Sequence, residues 1–161
     1  MPEGILPGLK NRFLQVLARI APGAKTWRVR LHRWRGVRIG EEVWIGYDSI
    51  IETGRPDLVT IGNRVRLGIR TMILAVNREQ RGVTIEDDVA LGAGSIVLAN
   101  VTIGQGSVVT AGSVVTKSVP SNTMVQGNPA QVIATVNTPF GQAASLKDFV
   151  KGLRVSERSR G

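Results

Sequence analysis

The chain has 161 residues, a formal net charge of +9, no cysteine and one histidine, and 4% of it is aromatic. That length builds one domain with a core of its own, and the missing cysteines exclude disulfides and thiolate-held metal. No apolar run approaches the ~20 residues that cross a bilayer as a helix. With no signal peptide visible, the expected compartment is the cytoplasm.

The charge sits at one end. Residues 1–38 hold nine Lys/Arg against one acid, Glu3, whereas the remainder holds twelve against eleven. Residues 1–8 contain two prolines and two glycines and read as a loose lead-in. Leu9 to Ile20 is predicted as a helix: Leu9, Phe13, Leu17 and Ile20 share a face that Leu14 and Val16 widen, and Pro22-Gly23 ends it. Lys25, Arg28, Arg30, Arg33, Arg35 and Arg38 are then interleaved with Trp27, Leu31 and Trp34. The expectation is a cap, its apolar residues covering the open end of the repeat region that begins at Ile39 and its arginine heads in water. His32 is expected on a solvated or capping face of this segment. Peripheral contact of residues 9–38 with an anionic membrane surface is a further expectation. Nucleic acid is the least favoured partner, although such cations and aromatics suit phosphates and bases.

At Ile39 a six-residue period begins: I-G-E-E-V-W, I-G-Y-D-S-I, I-E-T-G-R-P. Asp57 to Thr60 breaks the phase, which resumes at Ile61. Glu79 then stands where an inward aliphatic belongs. Burying an unpaired carboxylate costs several kcal/mol, so residues 77–82 are expected to leave the coil as a loop, with Val83 or Ile85 restarting it. From Ile85 to Pro120 six hexads run without a gap, opened by Ile85, Leu91, Val97, Ile103, Val109 and Val115. The fifth places hold Val89, Ser95, Val101, Ser107, Ser113 and Val119.

A period of six fits neither a helix nor one long strand. It fits a solenoid of short strands, three hexads or about 18 residues to a triangular coil, stacked ~4.8 Å apart. The opening residue points inward. The fifth faces inward near a corner, where only a slim side chain fits. Glycine, Asp or Asn near the opening residue, as at Gly92 and Gly104, is expected to permit the turn through positive φ. After the repeats, residues 134–144 are expected to be irregular. Ser145 to Leu153 reads as a short helix with Ser145 and Asp148 at capping-box spacing. The last eight residues, with Arg154, Arg158 and Arg160, read as a mobile tail.

These hexads, followed by Ala111-Gly112-Ser113-Val114-Val115-Thr116-Lys117, Val119-Pro120, Gly127-Asn128-Pro129-Ala130 and Val132-Ile133, resemble the hexapeptide-repeat acyltransferases, in particular the xenobiotic, maltose and galactoside acetyltransferase group. The basic lead-in ending in Gly36-Val37-Arg38-Ile39-Gly40 resembles acyltransferases that modify bacterial surface polysaccharides. The resemblance implies an all-β chain: a left-handed parallel β-helix over residues 39–133, a basic helical cap over 1–38, and a C-terminal extension with a short helix over 134–161. The hand rests on the resemblance alone, against the usual right-handed crossover. Also implied are a homotrimer, acetyl-CoA or another acyl-CoA lying between subunits, and O- or N-acyl transfer to a sugar of a surface polysaccharide or its precursor, at the inner membrane surface or in the cytoplasm. The resemblance assigns the pantetheine path to Ala93, Gly94, Ala111 and Gly112, and the CoA phosphates to Thr116 and Lys117.

Such enzymes use a histidine as general base, because its pKa lies near working pH. The two places that should carry it hold Val76, Asn77 and Arg78 in one case and Gly94 in the other. The base is therefore sought among Glu79, Asp87 and Asp88, since burial can raise a carboxylate into the working range. Glu79 ranks first, with Asn77 and Arg78 orienting acceptor or thioester, and Asp87 and Asp88 read as turn residues. The alternative reading is a catalytically inactive β-helix that binds or scaffolds. The related γ-type carbonic anhydrases need three zinc-binding histidines, which one histidine cannot supply, so no metal site is expected.

Overall fold

The computed structural model describes residues 5–140 and 145–156. Two helices come first, α1 (Ile5–Ile20) and α2 (Trp27–Arg35). The repeats then supply β1 (Arg38–Ile39), β2 (Trp44–Ile45), β3 (Ile50–Ile51), β4 (Val59–Ile61), β5 (Arg66–Leu67), β6 (Met72–Ile73), β7 (Val83–Ile85), β8 (Ala90–Leu91), β9 (Ile96–Val97), β10 (Thr102–Ile103), β11 (Val108–Val109) and β12 (Val114–Val115). The chain closes with β13 (Thr123–Gly127), β14 (Ala130–Val136), α3 (Leu146–Lys151) and β15 (Leu153–Val155).

Every third repeat strand pairs in parallel. Sheet A is β1-β4-β7-β10, sheet B carries β2-β5-β8-β11, and sheet C is β3-β6-β9-β12, so four coils stack into a parallel β-solenoid. The hexad explains the register. Ile45, Ile51, Leu67, Ile73, Ile85, Val97, Ile103 and Val109 are wholly enclosed, and so are the fifth-place Val89, Ser95 and Ser107. Two buried hydroxyls at the B–C corner find partners locally, Ser49 Oγ donating to Gly46 O at 2.8 Å and Thr71 Oγ1 to Gly68 O at 2.7 Å, whereas the equivalent Ser95 Oγ has no partner among the described residues. The four-residue insertion is a 3₁₀ turn at Pro56–Leu58 that runs into β4. The chain does leave the coil at 77–82, and β7 resumes it at Val83.

The role given to Gly92 and Gly104 is corrected. Their φ values are not positive; a Cβ on either would lie 2.4 Å from a backbone nitrogen of the next coil, that of Ala111 or Ser121. Positive φ falls two places later, at Asp88, Gly94, Asn100, Gly106 and Gly112.

The cap also differs from expectation. α1 begins at Ile5, so the loose lead-in ends earlier than residue 8; residues 1–4 lie outside the described residues. Its apolar face points outward: Leu9, Phe13, Val16 and Ile20 are 56–77% exposed, while Asn11, Gln15 and Ala18 are buried. The reason is what α1 covers. The first coil ends in an unpaired strand edge, and such an edge needs hydrogen-bonding partners. Asp48 N–H donates to Arg19 O at 2.8 Å and Ile45 N–H to Ala24 O at 3.0 Å. Gln15 Nε2 donates to Ser49 O at 3.0 Å, and Asn11 Nδ2 to Thr53 O at 2.6 Å. Of the arginine heads expected in water, Arg30, Arg33 and Arg38 are exposed and Arg35 is buried; Arg28 and the exposed Arg33 also answer the same need, donating to Ile45 O at 2.8 Å and to Gly40 O at 2.6 Å. Of the apolar residues expected to cover the coil end, Leu31 is buried but Trp27 and Trp34 are exposed; Val29 and Val37 join the solenoid core instead.

At the other end β13 extends sheet B in parallel, and β14 and β15 return antiparallel. The irregular stretch expected from residue 134 starts later, because Ala134 and Val136 are still strand and buried. α3 is shorter than predicted, with Leu153 already in β15; Ser145 caps it, accepting Asp148 N–H at 3.2 Å. Residues 141–144 and most of the expected mobile tail, including Arg158 and Arg160, lie outside the described residues. Phe149 and Val136 cover Ala90 and Val108, sealing part of the outer face of sheet B.

Candidate functional site

The residues singled out from the sequence fall on two corners of the solenoid. At the B–C corner, Gly92-Ala93-Gly94 links β8 to β9, and Thr110-Ala111-Gly112 links β11 to β12. They stack directly: Gly112 N–H donates to Ala93 O and Gly94 N–H to Ile69 O, both at 2.9 Å. Gly94 and Gly112 have φ of +67° and +70°, and a Cβ added at either would meet nothing within 4 Å. Ala93, Gly94, Ala111 and Gly112 thus form an exposed ribbon with almost no side chain. Beside it opens a cleft of about 250 Å³ between sheet B and Phe140, lined by Trp44, Ala90, Val108, Met124, Gly92 and Ala93. Arg66 lies over the Phe140 ring at 5.5 Å and supplies the cleft's positive charge.

The C–A corner carries the loop. Asn77 Oδ1 accepts the N–H groups of Glu79 and Gln80, each at 3.0 Å, which fixes the turn. Glu79 Oε2 accepts from Asn100 Nδ2 at 3.0 Å and pairs with Arg81 at 3.3 Å. As its departure from the coil implies, Glu79 is not buried: its side chain is 57% exposed. Arg78 is exposed beside it, and Thr116 and Lys117 are exposed on the same corner two coils on, roughly 10 Å along the stack. Sheet C therefore separates Asn77, Arg78, Glu79, Thr116 and Lys117 from the glycine-alanine ribbon.

Asp87 and Asp88 are occupied in turns. Asp87 accepts from Asn63 N and Nδ2 at 2.8 and 3.1 Å, and Asp88 grips Arg64 at 2.7 and 2.9 Å. Bonds to Asn63 in the first case and to Arg64 in the second hold both below the usual carboxylate range.

Two residues of this region were not legible as such. Glu52 reaches under the loop: its carboxylate accepts Ala75 N–H at 2.8 Å, Val76 N–H at 3.1 Å and Gly54 N–H at 2.7 Å. Burial works to raise its pKa, but these backbone donors together outweigh it and hold the group below its ordinary value. Asn100 braces the same loop, accepting Arg81 N–H at 3.2 Å as well as holding Glu79. The available signal for Glu52 was an acid directly after an inward aliphatic. Glu86 has that placement too and accepts Gln105 N–H of the next coil at 2.8 Å.

His32 is not on a solvated face. It is completely enclosed, with Nδ1 3.0 Å from Arg35 Nη1. Guanidinium only donates, so Nδ1 accepts and Nε2 carries the proton; Nε2 has no partner among the described residues. Burial first, and the Arg35 charge second, push its pKa down to about 3. Arg35 itself is held by Asn11 Oδ1 at 2.6 Å, by Gln15 Oε1 and by Glu52 O. Among the described residues no three His, Cys, Asp or Glu cluster closely enough to hold a metal ion.

Residues 82–117 match the family described as bacterial transferase hexapeptide (six repeats). Over 134 residues the chain is 32% identical to YvoF of Bacillus subtilis strain 168, provisionally named an acetyltransferase; the match covers 79% of this chain and 77% of YvoF. The chain belongs to the hexapeptide-repeat transferases. Its fold matches VCA0836, a hexapeptide-repeat acetyltransferase of Vibrio cholerae crystallised with acetyl coenzyme A, at a TM-score of 0.65 and 25% identity, over 81% of this chain and 87% of that one. A 2,3,4,5-tetrahydropyridine-2,6-dicarboxylate N-acetyltransferase of Staphylococcus aureus is 37% identical over 94 residues, which are 57% of this chain and 36% of that protein. The chain thus spans about a third of that longer relative. Residues 74–82 of this chain hold no imidazole, and its one histidine, His32, is buried within the cap.

Proposed function

We propose that this transferase takes an acetyl group from acetyl-CoA and delivers it to a hydroxyl or amine of a sugar in a surface polysaccharide or its precursor. The observation that carries the reading is the exposed ribbon of Ala93, Gly94, Ala111 and Gly112 beside an apolar cleft, in a chain whose family includes acetyl-CoA-binding members. Without side chains in the way, a pantetheine arm approaches the backbone closely, and Lys117 supplies a mobile point charge for phosphate. The acceptor oxygen or nitrogen attacks the thioester carbonyl, its proton passes to Glu79, and the coenzyme A thiolate leaves and is protonated. Asn100 and Arg81 position the Glu79 carboxylate through the contacts described. The basic cap supports the polysaccharide class, by resemblance. By name the Staphylococcus relative N-acetylates a tetrahydropyridine dicarboxylate, so nitrogen acceptors, amino acids among them, belong in the acceptor panel.

The test is thiol release from acetyl-CoA against sugars, oligosaccharide fragments and amino acids. Glu79→Gln is expected to lower kcat about 10²-fold or more. Lys117→Ala is expected mainly to raise KM for acetyl-CoA, since it removes binding shared by ground and transition states. Activity confined to amino acids would overturn the sugar assignment. A second reading, a binding or scaffold protein without turnover, is favoured by the exposure of Glu79 and the sealing of His32. Acetyl-CoA that raises the thermal midpoint while every acceptor fails would support it.

A further inference from the structure

α1 is an amphipathic helix mounted the unusual way round. Leu6, Leu9, Phe13, Val16 and Ile20 are 79, 66, 62, 56 and 77% exposed. At 100° per residue they fall within an arc of about 80°, and at 1.5 Å per residue the stripe is roughly 21 Å long. Lys10 and Arg12 flank it, both exposed. The orientation is specified rather than incidental, because the opposite face is bonded down through Asn11 to Thr53 O, Gln15 to Ser49 O and the Arg19–Asp48 pair at 2.5 Å. α2 adds Trp27 and Trp34, a heptad apart and 49 and 58% exposed, with Arg30 over the Trp27 ring at 5.7 Å.

We propose that α1 seats this protein on an anionic membrane surface, with the five-residue stripe entering the boundary between headgroups and acyl chains. Three observations select a lipid surface as the occupant. Exposed apolar side chains in one continuous stripe mark a contact surface. The charge beside the stripe is of one sign: no acid occurs between Glu3 and Glu41, so the face complements anionic headgroups. A contact between two like copies of this face would instead set Lys10 and Arg12 against Lys10 and Arg12 with no carboxylate to answer them. Tryptophan and arginine on α2 suit the headgroup layer, where indole lies at the interface and guanidinium meets phosphate. Among the described residues no helix is long and apolar enough to cross the bilayer, so the contact is peripheral. This inference does not rest on the acetyl-transfer reading, and its test needs no turnover.

The experiment is sedimentation of the full-length chain with vesicles of phosphatidylcholine alone and of phosphatidylcholine with phosphatidylglycerol. Binding is expected to the anionic vesicles, to weaken as salt is raised, and to be near background on the neutral ones. Leu9→Ser with Phe13→Ser is expected to weaken it at least tenfold, given the apolar area withdrawn. Both side chains are exposed, so circular dichroism and the mass of the lipid-free protein should stay unchanged. Lys10→Glu with Arg12→Glu should abolish the preference for anionic lipid. No binding to either vesicle would overturn the proposal. So would a fall in oligomer mass in the Leu9/Phe13 variant, which would assign the stripe to a neighbouring copy.

Discussion

His32 shows how one buried residue couples the cap to pH. The folded state holds it neutral down to about pH 3. The unfolded chain binds a proton near its ordinary value, about 6.5. Below that value the unfolded state therefore carries the extra proton, and stability falls with pH by up to ~1.4 kcal/mol per unit. The carboxylates with lowered pKa, Asp48, Glu52, Asp57, Asp87 and Asp88, act in the same direction. Their contribution begins only near the unfolded carboxylate values of about 4. The window from about pH 4.5 to 6.5 is thus governed by His32. Thermal midpoints across it should drop for the native chain. His32→Asn, which offers Arg35 an acceptor but does not titrate, should lower the midpoint at neutral pH and flatten that drop. An unchanged slope in the variant would show that His32 is not the group sealed neutral in the fold.

Elements differ in how far the sequence announces them. The solenoid was legible because a six-residue period is self-checking: each inward aliphatic must meet its equivalent one coil away, as Leu67, Leu91 and Val109 do in sheet B. The loop at 77–82 was legible from one misplaced charge, Glu79. The facing of α1 was not, since periodicity shows that a helix has an apolar side but not whether the surface it covers is apolar or a row of backbone groups. Here it is the latter, and Asn11, Gln15, Arg28, Arg33 and Arg35 meet it. Glu52 and Asn100 were hidden for a related reason: their partners lie 19 to 24 residues away in sequence but one coil away in space. The same row of backbone groups decides what truncation does. Removing residues 1–38 leaves Ile45 and Asp48 N–H and the Ile45, Ser49 and Thr53 carbonyls without partners and uncovers the end of the core. An open strand edge of that kind pairs with other chains, so the shortened protein should pellet during expression. A soluble, folded truncation would show that the cap serves partners rather than the coil.

At the scale of the whole molecule, the two corners pose a problem of assembly. Glu79 and Lys117 line the C–A corner, and Ala93, Gly94, Ala111 and Gly112 line the B–C corner, with sheet C between them. A donor on the ribbon and a base on the loop meet most simply if the loop of one copy faces the ribbon of the next. A closed ring of three repeats that contact identically, since each copy offers one corner and receives the other. Light scattering should then give three times the 17.3 kDa protomer. Mixing decides where the site is built. Ala93→Trp blocks the ribbon and Glu79→Gln removes the base, so either variant alone should be inactive. In trimers formed by refolding both together, an Ala93→Trp copy still offers Glu79 to a neighbour whose ribbon is intact. Random mixing in equal amounts makes about a quarter of the interfaces whole, and that fraction of native activity should return. If the site lies within one chain, every protomer carries one defect and mixing restores nothing.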